Sequence, residues 1–232
     1  MKLSRRDFIR ISAVGLSGVG LSPKWTWLAR QTQAPPTPAA TSTLPNGTAA
    51  GDVTETTAIL WAHSTALGTV QFSYTAARAT FDPYAATVFT AEVVDPMLPV
   101  KVVARNLLPG TEYVYQVTDA AGSTASGRFA TLPADGAKVG LHFGVTGDWR
   151  GELRPYVALS NVAAMKLDFF MEHGDTIYAD VPSIDFPGDH AVSLADFRVK
   201  HNEVYSSRYG HNIWADIRAS TSVYAINDDH EV

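Results

Sequence analysis

The chain has 232 residues, 46% hydrophobic and 18% charged, which is enough apolar material for a buried core and too little charge for a disordered chain. With 23 acidic and 18 basic side chains its formal charge is -5, which argues against a nucleic-acid or anionic-membrane binder because crowded carboxylates repel phosphate. It has no cysteine, so disulfides, thiolate metal sites and a thiol nucleophile are excluded, and any metal must sit on oxygen and imidazole.

Residues 1–30 read as a twin-arginine signal peptide. Ser4-Arg5-Arg6-Asp7-Phe8 precedes an apolar, glycine-rich stretch at 11–21 that is too short to span a bilayer. Glycine or serine within a helix costs about 0.5 to 1 kcal/mol, which argues against an ordinary amphipathic helix here. Cleavage after Ala29 would leave the remainder at about -9, since five basic residues stand against Asp7 in the part removed. The expectation is export in folded form by the twin-arginine translocase to a periplasmic or secreted location, with no transmembrane helix in the mature chain. Residues 31–49 are small, polar and proline-rich, and read as a linker.

Residues 50–132 carry six short β-branched and aromatic runs, at 57–63, 69–75, 88–94, 100–106, 112–119 and 126–131, each broken by Gly, Pro or Asp. Six such runs in so short a span predict a β-sandwich. The turn at Leu107-Leu108-Pro109-Gly110, followed by Tyr113 near a strand start, has the pattern of the tyrosine corner of immunoglobulin-like sandwiches. The segment is similar to a fibronectin type III module, with Trp61 expected as the core plug and His63 as a structural or exposed residue.

After a linker at 132–136 the pattern changes to strand, helix, strand. Apolar runs at 139–145, 167–171 and 222–226 alternate with helix-like stretches at 155–165, 194–205 and 215–218. The three apolar runs end in Thr146-Gly147-Asp148-Trp149, in His173-Gly174-Asp175-Thr176-Ile177-Tyr178 and in Asn227-Asp228-Asp229-His230-Glu231. Ligands of open α/β sheets bind outside the carboxyl ends of the strands, so neighbouring parallel strands would bring Asp148, Asp175, Asp229 and His230 together. Carboxylates gathered in one crevice repel, and the usual remedy is a cation between them. Oxygen and imidazole donors suit ferric iron, manganese, zinc or calcium, and a two-metal hydrolase is the natural reading. Asp185, Asp189, His190, His201 and His211 lack this strand-end placement and read as loop and helix-surface residues.

These motifs resemble the alkaline phosphatase D family: Gly-Asp-Trp-Arg-Gly-Glu-Leu at 147–153, Leu-Asp-Phe-Phe-Met-Glu-His-Gly-Asp-Thr-Ile-Tyr-Ala-Asp at 167–180, Lys-His-Asn-Glu-Val-Tyr-Ser-Ser-Arg at 200–208 and Asp-Asp-His-Glu-Val at 228–232. The resemblance implies a fibronectin-like sandwich followed by an α/β four-layer metallophosphatase domain, here its first half at 137–232. It further implies hydrolysis of phosphate mono- and diesters by water activated on Fe3+ with Ca2+, zinc or manganese being alternatives. The substrate is expected to be a phosphate ester, small or polymeric. Asp175 is similar to the carboxylate that bridges two metals, Tyr178 to the phenolate ligand of the ferric ion, and Asp229 to a further metal ligand. His230 would face the phosphate and leaving group. Asp148 stands where members of the family can present a cysteine. Arg150 and Arg154 are placed to clamp phosphate, or to pair with Glu152. The resemblance to only the N-terminal part leads to the expectation of a truncated chain with low activity alone and with Phe169, Phe170 and Ile226 uncovered. The competing class is a secreted, non-enzymatic binding module built on the sandwich.

Overall fold

The computed structural model describes residues 42–77 and 86–232; the stretch read as an export signal and most of that read as linker lie outside the described residues. Two antiparallel sheets form a sandwich. One has the order β1-β2-β5, built from β1 (Thr48–Gly51), β2 (Ala58–Ala62) and β5 (Val100–Ala104). The other has the order β4-β3-β6-β7, built from β3 (Gly68–Ala76), β4 (Thr87–Val93), β6 (Glu112–Thr118) and β7 (Thr124–Ala130). All six predicted runs are strands.

Alternation decides which side chains fill the sandwich. Ala58, Leu60 and Ala62 point inward with Val70, Phe72, Tyr115, Val117 and Phe129, and a side-chain period of two sends Trp61 to the other face. Trp61 is therefore not the core plug; Phe72 and Tyr115 have that role, and the Arg218 guanidinium lies 5.7 Å from the Trp61 ring centre. The tyrosine corner is present: the Tyr113 hydroxyl accepts a hydrogen bond from the Leu108 N–H at 2.8 Å. His63 is structural, held between Asn46 Oδ1 at 2.6 Å and the Pro96 carbonyl at 2.9 Å.

The described part of the stretch read as linker carries regular structure. Leu44 is buried, the Gly47 N–H closes a turn onto the Leu44 carbonyl at 3.1 Å, and β1 follows at once. Four small residues, Thr-Ala-Ala-Gly, give β1 no β-branched run to announce it; pairing with β2, from Thr48 opposite Ala62 to Gly51 opposite Ile59, makes it a strand.

The remaining strands, β8 (Phe143–Thr146), β9 (Phe169–His173) and β10 (Ser222–Ile226), form a parallel sheet in the order β10-β9-β8. Gly144 and Val223 flank Phe170 in register, and a Cβ at Gly144 would come within 2.6 Å of the Phe170 ring, so only glycine lets that ring lie flat on the neighbouring strand. Two helices follow β9. The first, α1 (Leu194–Tyr205), starts at a capping box in which Ser193 Oγ accepts from the Asp196 N–H and Asp196 Oδ2 accepts from the Ser193 N–H. The second, α2 (Ile213–Ser220), starts where Asn212 Oδ1 accepts from the Ala215 N–H.

The helix expected at 155–165 is replaced by 3-10 turns at Val157–Leu159 and Val162–Ala164, preceded by another at Gly151–Leu153. Tyr156 adopts a left-handed φ of 58°, which interrupts an α-helix, and burial of its ring against Trp149 and Trp214 selects that conformation. Trp214 is fully buried and also meets Phe170 edge-to-face. Phe170 is thus covered, at 2% exposure, contrary to expectation, because α2 lays Trp214 on it; the apolar face that stays open carries Phe143, Val145 and Ile226.

Sandwich and parallel sheet are joined through α2 and the residues around it. Asn212 Nδ2 donates to the Pro45 carbonyl, Asn46 Nδ2 to the Tyr205 carbonyl, Arg218 Nη2 to the Asn46 carbonyl and Arg128 Nε to the Ser220 carbonyl, all between 3.0 and 3.2 Å.

Candidate metal centre at the strand ends

The three parallel strands release their chains side by side, and the loops that follow are tied to one another. The Trp149 N–H donates to the Asp175 carbonyl at 2.8 Å, and the Ala179 N–H to the His230 carbonyl at 2.8 Å. Close approach of the backbones explains both Gly-Asp pairs. A Cβ at Gly147 would lie 2.8 Å from the His173 carbonyl oxygen, and one at Gly174, where φ is 79°, would lie 2.7 Å from Asp228 Cβ. Asp148 and Asp175 themselves have φ of 67° and 50°, a left-handed conformation that Asp tolerates better than most residues.

Asp175, Asp229 and His230 come together, each offering a ligand atom within 4.8 Å of the others. The Tyr178 hydroxyl lies 3.2 Å from Asp148 Oδ1 and 3.4 Å from Asp175 Oδ2, so it reaches both carboxylates and brings Asp148 to the edge of the cluster. Its ring stacks on the His230 imidazole with centres 4.1 Å apart. Asp175 is 8% exposed, while Asp229 and Asp148 are open to solvent.

Electrostatics mark Asp175 as under-compensated. Burial pushes its carboxyl above the usual range; the His230 N–H and imidazole work against this, and the Asp229 and Asp148 charges add to it. Burial, then the carboxylates of Asp148 and Asp175, raise the Tyr178 phenol well above its ordinary value. A hard cation among these oxygens would supply the missing positive charge and reverse both shifts, so the residues present fit a metal chemically.

Three side chains that the strand-end pattern did not single out complete the arrangement. Asp180 Oδ1 meets His230 Nδ1 at 2.7 Å, a contact that raises the imidazole's proton affinity and holds the Asp180 carboxyl down. Nδ1 is thereby engaged, which leaves Nε2 as the nitrogen available to a ligand. Glu231 accepts from both the Thr176 N–H and the Thr176 hydroxyl, and from the Asp228 N–H at 2.8 Å, joining the loops after β9 and β10. No periodicity points to Asp180, Thr176 or Glu231; their signal is that they fall inside the motifs at 167–180 and 228–232.

The two arginines separate. Arg150 is exposed, pairs with Glu152 and lies 5.8 Å from the Tyr178 ring centre, beside the cluster. Arg154 is 8% exposed and its guanidinium is occupied by the Gly151 and Asn202 carbonyls, Ser206 Oγ and Asp185 Oδ2 at 2.5 Å. That is a loop-fixing role, and it gives Asp185 a structural partner as well.

Residues 29–133 match the family model for the PhoD-like phosphatase, N-terminal domain. That stretch, which includes the sandwich, is similar to the N-terminal domain of PhoD-like phosphatases. A solved structure of PhoD is similar to this chain with a TM-score of 0.68 and 22% identity, covering 83% of this chain and 40% of PhoD. At that identity the likeness is one of fold, and the chain spans well under half the PhoD length. The sensor domain of the anti-sigma factor RsgI4 in Pseudobacteroides cellulosolvens is similar over 37% of this chain and 89% of its own, at 20% identity and a TM-score of 0.32. The fn3 domain of the human collagen alpha-1(XX) chain is similar over 54% and 96%, at 20% identity and a TM-score of 0.32. No curated protein matches. Among the described residues no helix is long and apolar enough to cross a membrane.

Proposed function

We propose that the chain carries part of the active site of an exported, metal-dependent phosphatase that hydrolyses phosphate mono- or diesters, its parallel sheet being the first half of a metallophosphatase domain. The observation that carries this reading is the meeting of Asp175, Asp229 and His230 at the ends of adjacent parallel strands, within 4.8 Å. Asp175, Asp229, Tyr178 and Asp148 would hold the metals; Fe3+ and Ca2+ fit these hard donors, and zinc or manganese are the alternatives. Such ions lower the pKa of water and neutralise phosphate oxygens.

The chain's own residues supply the rest. His230, with Nδ1 held by Asp180, keeps Nε2 available and is the group that would hand a proton to the leaving oxygen. Arg150 stands free enough to contact the phosphate once it exchanges Glu152 for the substrate, since guanidinium matches phosphate geometry. These four candidate donors, even with His230 as a fifth, are fewer than two cations require, each taking about four to six, so these residues alone should bind one cation more firmly than two and turn over ester slowly.

The test is Asp175→Asn. It should remove manganese binding, measured by calorimetry, and any hydrolysis of bis(4-nitrophenyl) phosphate that EDTA also removes. Unchanged metal affinity in a folded variant would sink the reading and favour a binding module. Export through the twin-arginine route rests on Ser4-Arg5-Arg6-Asp7-Phe8; replacing Arg5 and Arg6 by lysine should keep the protein in the cytoplasm, and continued export would refute it.

A further inference from the structure

A cavity of about 440 Å3 that shares no residue with the carboxylate cluster lies where β2, the turn after β4 and α1 meet. Its apolar walls include Trp61, Met97, Leu98 and Leu194, of which Leu98 is 49% and Leu194 67% exposed, an unusual cost in apolar surface for positions with no internal partner. Two guanidiniums line it, those of Arg198 and Arg218. Arg218 sits between the Trp61 and Tyr205 rings, 5.7 and 5.0 Å from their centres. Among the described residues Arg218 donates one hydrogen bond, from Nη2 to the Asn46 carbonyl, its Nε has no partner, and neither arginine forms a salt bridge, the buried Glu172 carboxylate acting on Arg218 only at longer range. No described Asp or Glu lines the cavity, although acids outnumber bases in the chain by 23 to 18.

A concave site with apolar walls and a few unpaired cationic groups selects a ligand that has both an apolar body and an anionic head. We propose that this cavity binds an amphiphilic oxyanion, with its alkyl chain between Trp61, Leu98 and Leu194 and its carboxylate or phosphate head on Arg198 and Arg218. The chain's own N-terminal segment is the wrong occupant on charge, since Lys2, Arg5, Arg6, Arg10, Lys24 and Arg30 stand there against Asp7 alone. The proposal does not depend on the phosphatase reading.

The experiment is a calorimetric titration of the whole chain, in chelator, with decanoate, decyl phosphate, decanol and decyltrimethylammonium below their micelle concentrations. Decanoate or decyl phosphate should bind, and which is tighter distinguishes a fatty-acid from a phosphate-ester source of the ligand; the cation and the alcohol should bind at least tenfold more weakly, by roughly the effect of like against unlike charge. Leu98→Glu and Arg198→Glu both lie on exposed or half-exposed positions and should each weaken anion binding about tenfold without altering the circular dichroism spectrum. Asp175→Asn should leave it unchanged. Binding of decanol or of the cation as tight as that of the anions, no binding of either anion, or anion affinity untouched by both substitutions would overturn the proposal.

Discussion

Glu231 joins two loops that otherwise carry like charges, and Glu231→Gln removes half of that junction while keeping the side-chain volume. One oxygen accepts from the Thr176 N–H and hydroxyl, the other from the Asp228 N–H; glutamine retains one acceptor and turns an amide NH2 toward a donor. Bonds to an ionised acceptor contribute about 1.5 to 3 kcal/mol each, and the site is only half-buried, so water recovers part of the loss and a net cost of about 2 kcal/mol is expected. For a chain of this size that lowers the melting temperature by roughly 4 to 8 °C. Loosening the support of Asp175 and Asp229 should also weaken manganese binding by about tenfold to a hundredfold.

Acid should erase the stability difference. Burial opposes ionisation of Glu231, but the hydrogen bonds from Asp228 and Thr176 outweigh it and hold the carboxyl below its ordinary value. Its stabilisation is therefore complete above the unfolded value of about 4.3 and drains away as the pH falls through the lower folded value. Urea denaturation of both proteins at neutral pH and at about pH 3, with a manganese titration at neutral pH, reads all three effects. Equal stability and metal affinity at neutral pH, or a stability gap that keeps its full size in acid, would refute the reasoning.

Three other outcomes are expected. Asp180→Asn should lower the His230 pKa toward its ordinary value, because the Asp180 contact is the main cause of its elevation; histidine NMR titration of the metal-free protein checks this, and an unmoved pKa would deny the pairing. Tyr113→Phe should cost about 1 kcal/mol by removing the acceptor of the Leu108 N–H, read as a shift in the urea midpoint at constant slope. Asp119→Ala should cost about 2 to 3 kcal/mol, since that buried carboxylate accepts from Thr43, Ser64 and the N–H groups of Ala121 and Ser123, and protease should then cut more readily near Thr43.

Periodicity made much of the architecture legible because the relevant side chains are large. Alternation at Tyr113, Tyr115 and Val117 marks β6, and the apolar run at 222–226 coincides with β10. It failed where side chains are small or where tertiary contacts override local preference. β1 has nothing larger than threonine, Tyr156 takes a left-handed φ to bury its ring, and the two faces of β2 are both apolar, so Trp61 could not be assigned to one of them from sequence. At the candidate site the strand-end acids were visible as a pattern, since sheets place ligands there. Asp180 was not, because its partnership with His230 spans 50 residues and depends on how the loop after β9 curls back under the one after β10. Arg154 shows the converse: its position beside the first strand end suggested a phosphate clamp, and only the geometry of Asp185, Asn202 and Ser206 assigns its guanidinium to the loops.

The carbonyls of Pro45 and Asn46 dock Asn212 and Arg218, which belong to the cap and body of the helix that leads straight into β10. That makes the sandwich a jig for the strand that delivers Asp229 and His230. A chimera that exchanges this sandwich for another of the same fold would therefore need to reproduce those two carbonyl positions at the start of its first strand; matching the core while shifting that turn would displace the third corner of the site without touching any residue in it.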